Sequence, residues 1–414
     1  MRRLPAAAFA FALVAPWAAG GARAQSEPRP ALARPVVLAT SEGGLKSFGD
    51  PAACRSGWVV FHAVRDDGRE GIYASAGSVP TVLAETGTPV QDGDDVWHMK
   101  RFGRQPTVSD ALVCAFTVEF EGGGKAVLTS EGSTRKYAFV ADSGEAFRGF
   151  GELAAINSAR HVLFRATVDP PSHPDRDPFN AARLADPERD LDPESIPPPT
   201  RLTSSGRKAE FHCGLFLDRV SDLRTVCTTE RGFVDVRDGF AFNDAGFVAF
   251  RASRRPGSVS LLIESGGASV ALAESGARFT SFEPPALDRR GRAAFVAHGP
   301  DGAAFVCRSA WGAGLPEVVA DARSGFVAFG PNVSIDDRER VAFVGRRADG
   351  REGLYLAGSR GDFTSLLSIG DLVGRRAVKR LRLSNRAFVR SDRIALLALL
   401  EPDVEAVVVL QLAP

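Results

Sequence analysis

The chain has 414 residues, of which 51 are Lys or Arg and 50 are Asp or Glu, for a formal charge of +1. Its 44% apolar and 24% charged residues are a globular composition, which excludes a disordered or membrane-embedded chain. The balanced charge argues against a protein that lives on nucleic acid, because neutralising phosphates requires a basic excess.

Residues 1–24 read as a secretion signal. Arg2 and Arg3 give a positive start, Ala6 to Ala19 is an apolar run, and Ala22-Arg23-Ala24 is a small-x-small cleavage site before Gln25. Pro5 just before the run and Pro16 inside it weigh against a buried helix. Cleavage removes Arg2, Arg3 and Arg23 and leaves 48 basic against 50 acidic residues. Residues 25–35 form an Arg/Pro-rich spacer, and the folded part is expected over 36–414. No later segment reaches the roughly 18 consecutive apolar residues of a membrane helix, so the mature protein is expected in the periplasm or outside the cell, without a membrane span.

From there a repeat runs the length of the chain. A turn residue leads into an apolar run that ends in Phe, or once Leu, and a small residue two positions on. The anchors are Phe61, Phe116, Phe164, Phe250, Phe295, Phe343 and Leu396, with gaps of 55, 48, 86, 45, 48 and 53 residues. Before each anchor comes an apolar pair three apart, such as Phe147/Phe150 or Phe326/Phe329. After it come a turn and a third strand, as in Asp66-Asp67-Gly68 before Gly71-Ile72-Tyr73, and then a fourth, as in Val82 to Ala84. Short strands bounded by Gly and Asp, with no sustained 3.6-residue periodicity, predict an all-β protein.

Four strands per unit, seven times over, predict a seven-bladed β-propeller of four-stranded blades. Its ends are complementary. Val36 to Ala39 reads as a fourth strand without its first three, and Ala406 to Leu412 as a third strand without its fourth. Pairing the N-terminal strand with the last blade closes the ring and removes two exposed sheet edges.

The run Phe242-Asn-Asp-Ala-Gly-Phe-Val-Ala-Phe-Arg-Ala252 is similar to the secreted bacterial tandem-repeat proteins named for Asn-x-x-Gly-x-x-x-Phe. The resemblance covers most of 36–414. It departs from the motif in keeping the Asn only at Asn157 and Asn243, with Asp288 and Asp336 elsewhere. It implies export and a propeller-like fold but names no reaction. The motif has a structural logic: the Asx side chain bonds the backbone of a tight turn, Gly accepts positive φ, and Val-Ala-Phe enters the core.

Seven carboxylates fall at the junction from each fourth strand to the next first strand: Glu42, Glu85, Asp142, Glu230, Glu274, Asp321 and Asp371. Two readings are open. They form an acidic ring at the channel mouth that attracts a cation or a basic partner, or each caps its own turn. The long gap holds a Pro-rich, charged insertion over 168–212, expected as a loop projecting from blade three on the same face, either a partner contact or a spacer. The basic run Arg375, Arg376, Lys379, Arg380, Arg382 and Arg386 is expected to be a solvated strand face, with an anion or glycan site as the alternative.

No His-Glu-x-x-His, Gly-x-Ser-x-Gly or P-loop occurs, and no cofactor is implied. Five cysteines in an exported protein leave at least one unpaired. Cys213 and Cys227 sit symmetrically about Val220 in a hairpin and are expected to form a disulfide; Cys54 with Cys114 is a weaker pairing, and Cys307 is expected to be buried and free. The leading expectation is a non-catalytic binding module for an envelope or extracellular partner, protein or glycan. The alternative is a hydrolase or lyase acting on glycans or lactones through channel-mouth carboxylates.

Overall fold

A computed structural model of the chain describes residues 33–168 and 212–413, apart from 78, 145, 221, 230, 231, 359 and 360. The chain folds as a seven-bladed β-propeller. Blade 3 shows the plan: Phe147–Ile156 runs along the axis, then Val162–Val168, His212–Asp218 and Leu223–Thr228 follow outward as an antiparallel sheet. In blades 1, 2, 4 and 5 the inner strand is broken into two short pieces, such as Leu45–Phe48 and Ala52–Ala53 in blade 1, both paired with Val59–Arg65. Among the described residues the only helical pieces are three-residue 3₁₀ turns.

Closure takes the expected form. Ala33–Thr40 pairs antiparallel with Val404–Leu412, from Ala33 opposite Leu412 to Thr40 opposite Ala406, and so supplies the outer strand of blade 7. The strand begins three residues before the expected boundary at Val36. Seven apolar clusters fill the seven gaps between neighbouring blades. The cluster between blades 7 and 1 contains Leu38 and Ala39 of the closing strand, with Phe48, Phe61, Val389, Leu397 and Val407.

The repeated aromatic residues build these clusters. Phe61, Phe116, Phe164, Phe295, Phe343 and Leu396 are completely buried. An inner-strand Phe meets the anchor Phe edge-on in Phe48–Phe61, Phe147–Phe164, Phe282–Phe295 and Phe326–Phe343, with ring centroids 5.2 to 5.9 Å apart. That geometry suits the aromatic quadrupoles. Small side chains let the inner strands converge on the axis. A Cβ on Gly49 would stand 2.2 Å from the Arg104 carbonyl of the next blade, and one on Gly103 would stand 2.1 Å from Thr117 Oγ1 and 2.6 Å from the Glu152 carbonyl.

Gly103→Ala should therefore destabilise the ring by about 1–3 kcal/mol through overpacking, whereas Val96→Ala on the exposed Asp95–Phe102 strand should stay within about 0.5 kcal/mol. Equal urea midpoints for the two variants would contradict the close approach at the axis.

Candidate functional site

Each inner strand starts at a junction turn and ends at an Asx turn, so the two families of turns lie at opposite ends of the ring. Four of the six described junction carboxylates bond to groups in their own surroundings. Asp321 Oδ1 accepts from the backbone N–H groups of Arg323 (2.9 Å) and Ser324 (3.1 Å), and Asp371 Oδ2 from that of Ser368 (2.7 Å). Glu85 pairs with Arg135 at 3.6 Å, and Glu42 pairs with Arg376. Asp142 and Glu274 are exposed, and Glu230 lies outside the described residues. None of the six lines the central cavity. Among the described residues no three His, Cys, Asp or Glu side chains group closely enough to hold a metal ion.

The insertion expected over 168–212 lies, between its flanking residues, outside the described residues. Val168 pairs with His212, and also with Phe147 at the start of the inner strand. The insertion is thus anchored at the junction-turn end of blade 3.

At the opposite end the seven turns that follow the inner strands converge around a cavity of about 780 Å³. Every blade contributes to its wall, through Ser56, Asp110, Ser158, Asp244, Arg289, Asp337 and Asp392 among others. The Asx residues of the repeat shape this wall. Asn157 Oδ1 accepts from the N–H groups of Ala159 (3.1 Å) and His161 (2.9 Å). Asp288 Oδ1 accepts from those of Arg290 (2.9 Å) and Arg292 (2.8 Å), while its Oδ2 takes Arg292 Nε. Asp336 repeats the pattern with Arg338, Arg340 and Arg340 Nε. Here the carboxylate is better than Asn, because the extra arginine bond is charge-assisted.

The residue after the Asx position links one blade to the one before it. Asp110 Oδ1 accepts from Arg55 N (2.7 Å), Asp244 Oδ1 from Ser158 N (2.7 Å) and Asp337 Oδ1 from Arg289 N (3.3 Å). Asn243 Nδ2 donates to the Asp288 carbonyl at 2.7 Å, and Arg390 Nε to the Arg55 carbonyl at 2.7 Å. The rim is thus stitched turn to turn.

The floor comes from blade 7. Its inner strand, Arg376–Val389, loses register between Leu383 and Phe388, and the irregularity turns Asn385 and Arg386 into the channel. Asn385 Nδ2 donates to the carbonyls of Phe240 (3.2 Å) and Pro285 (2.9 Å); Arg386 Nη2 donates to those of Ile156 (3.2 Å) and Phe242 (2.6 Å). One blade thereby reaches across to blades 3, 4 and 5. A second, smaller cavity of about 40 Å³ is also bordered by Asn385 and Arg386. The cavity is a cup with a basic floor. Burial lowers the Arg386 guanidinium to about 10, against an upward pull from Asp244.

This corrects the reading of the basic run. Arg376, Lys379 and Arg382 do lie at the surface, paired with Glu42, Asp403 and Asp50, but Arg386 faces the axis. Strand alternation cannot reveal this, because a bulge resets which residues face inward. The acids after the Asx positions were also missed, although Asp110, Asp244 and Asp337 occupy one register of the repeat.

The expected Cys213–Cys227 disulfide is not formed; all five cysteines are thiols. A register shift between Leu215 and Phe216 sets Cys227 opposite Leu215 and moves Cys213 beyond it, where its sulfur is 3.9 Å from Thr167 Oγ1. Cys54 and Cys114 are likewise separate, and Cys307 is buried and free. Burial raises the thiols of Cys54 and Cys114 and pushes Cys227 and Cys307 to about 12. A thiolate-selective reagent at pH 8 should therefore label Cys213 alone in the native protein and five thiols after denaturation without reductant. Three labelled thiols after denaturation would restore the disulfide.

No protein-family model and no curated protein matches the chain. Solved structures do resemble it. Oligogalacturonate lyase from Vibrio parahaemolyticus aligns at a TM-score of 0.50 and 10% identity, over 92% of this chain and 96% of that one. TolB from Acinetobacter baumannii aligns at a TM-score of 0.40 and 12% identity, over 78% and 63%. A puromycin-hydrolyzing peptidase of Mycobacterium tuberculosis aligns at 0.41 and 14%, over 87% and 58%. The chain thus spans less than two thirds of the last two proteins. At these identities the likeness is one of fold, and the chain is similar to other β-propellers. No described helix is long and apolar enough to cross a membrane.

Proposed function

We propose that the protein is an exported, non-catalytic binding propeller of the bacterial envelope or exterior, with its ligand site in the cup at the Asx-turn end. The observation that carries this reading is the cup itself: about 780 Å³, walled by all seven blades and floored by Asn385 and Arg386. A concave site of that size suits a small molecule or the end of a larger one. The site lies at the opposite end from the described junction carboxylates, none of which lines it.

The use of the carboxylates favours binding over catalysis. Asp110, Asp244, Asp288, Asp336 and Asp337 all accept backbone N–H groups. Among the described residues Asp392 is the one acid of the wall with no partner, and no described His or Glu lines the cup beside it. General acid–base chemistry with paired carboxylates requires two groups free to exchange protons with substrate. Export rests on Arg2, Arg3, the apolar run and Ala22-Arg23-Ala24, together with the resemblance to the secreted Asn-x-x-Gly-x-x-x-Phe repeat proteins.

Two measurements test the proposal. Expressed with its leader in a Gram-negative host, the protein should be recovered outside the cytoplasm with Gln25 as its first residue; an uncleaved cytoplasmic chain would contradict export. Incubated with the small-molecule fraction of an envelope extract, the wild type should show a ligand adduct by native mass spectrometry. Ser158→Trp at the exposed rim should abolish the adduct. An adduct that survives this substitution would move the site elsewhere, and release of a chemically altered ligand would favour an enzyme.

A further inference from the structure

The charges of the cup differ in what they have left to bind. The acids of Asp288 and Asp336 are satisfied within their own turns, including bonds from Arg292 and Arg340. Asp110, Asp244 and Asp337 hold the neighbouring blade. The arginines are less committed. Arg55 lies 3.9 Å from Asp337, and Arg390 donates to the Arg55 carbonyl. The guanidinium groups of Arg289 and Arg338, which also line the cup, bond nothing among the described residues. Arg290 is equally free and borders an adjoining depression of about 380 Å³ together with Arg289.

Arg386 is the most telling of them. Both of its hydrogen bonds among the described residues go to neutral carbonyls, and its Nη1 is buried without an acceptor. Among the described residues no carboxylate is in ion-pair contact with it, and Asp244 attracts it only from a longer distance. A cation held deep in a protein without a counter-ion is costly. With Nη2 committed to two carbonyls, the Nη1 N–H groups remain, and a charge-assisted hydrogen bond from them fits an oxyanion. Higher on the wall, the Ser158 hydroxyl and the Asp392 carboxylate are free. These groups accept and donate hydrogen bonds to hydroxyls rather than repel a neutral polar body.

Resting on the cup as the ligand site, we infer that its ligand is a small hydroxylated organic acid, with a carboxylate or phosphate group seated on Arg386 and hydroxyls at the rim. The anion completes the bonding that the fold leaves open at Arg386, and Arg289 and Arg338 supply further cationic donors on the wall.

Calorimetric titration in low salt with glucose, glucuronate and glucose 6-phosphate tests this, since the three share a ring and differ in the anion. At least one anionic sugar should bind ten-fold or more tighter than glucose, and its identity tells carboxylate from phosphate. Arg386→Gln, whose amide can still donate to the Phe242 carbonyl, should weaken that binding at least ten-fold. Arg380→Ala, on the exposed part of the same strand, should leave it unchanged. Should Arg386→Gln not fold, Arg386→Lys combined with Arg338→Ala should show the same loss with the fold retained. Equal binding of all three sugars, no binding of any, or equal losses in Arg386→Gln and Arg380→Ala would overturn the inference. A ligand adduct from the extract that Ser158→Trp still abolishes would then leave the cup as a site for a neutral ligand.

Discussion

The architecture depends on one antiparallel pairing between the two ends of the folded chain. Ala33–Thr40 lies along Val404–Leu412, and Leu38 and Ala39 complete the apolar cluster between the last blade and the first. Polar contacts fix the same seam. Ser41 N donates to the Glu405 carbonyl at 2.9 Å, Glu405 N to Ser41 Oγ at 3.0 Å, and Phe48 N to Glu405 Oε2 at 2.9 Å. Six blade interfaces join units adjacent in sequence, whereas this one spans more than 350 residues. Its loop-closure entropy is the largest in the fold, and without it two sheet edges and two apolar faces would meet water.

Closure makes a site because it brings the ends of seven inner strands to one axis. The repeat spends its Asx residues on turns, and the turns become the wall of the cup. The same residues hold the fold and shape the cavity, and this explains why so few acids of the wall remain free. Every inner strand is interrupted before its Asx turn, by a break in blades 1, 2, 4 and 5 and by a bulge in blades 3, 6 and 7; in blade 7 the interruption carries Asn385 and Arg386, which reach across the channel to blades 3, 4 and 5. These two side chains form the floor and place there a cation with no ion-pair partner among the described residues.

The parts of this arrangement that follow from local periodicity were legible in the sequence. The Phe anchors marked the blades, and the mismatched strand counts at the termini predicted the closing strand. The Asx turns were legible as turns. That their far ends converge on a cavity requires the ring, and the junction carboxylates drew attention to the other end because they too recur once per blade. Bulges hid the rest. One shifts Cys227 to lie opposite Leu215, in a hairpin that pairs Asp218 with Leu223 and so is already centred off Val220. Another turns Arg386 inward out of a run of otherwise solvent-facing bases. A single inserted residue changes which face a side chain occupies, and no count of sequence spacing records it.

Hydrogen exchange at residues 33–40 addresses the closed ring most directly. If these residues are the outer strand of blade 7, their amides that bond Val404–Leu412 exchange only as slowly as those of that strand, and both lose protection together as denaturant is added. Rapid exchange over 33–40 beside full protection of 404–412 would mean that the ring is open, and the cup at its axis would lose its basis.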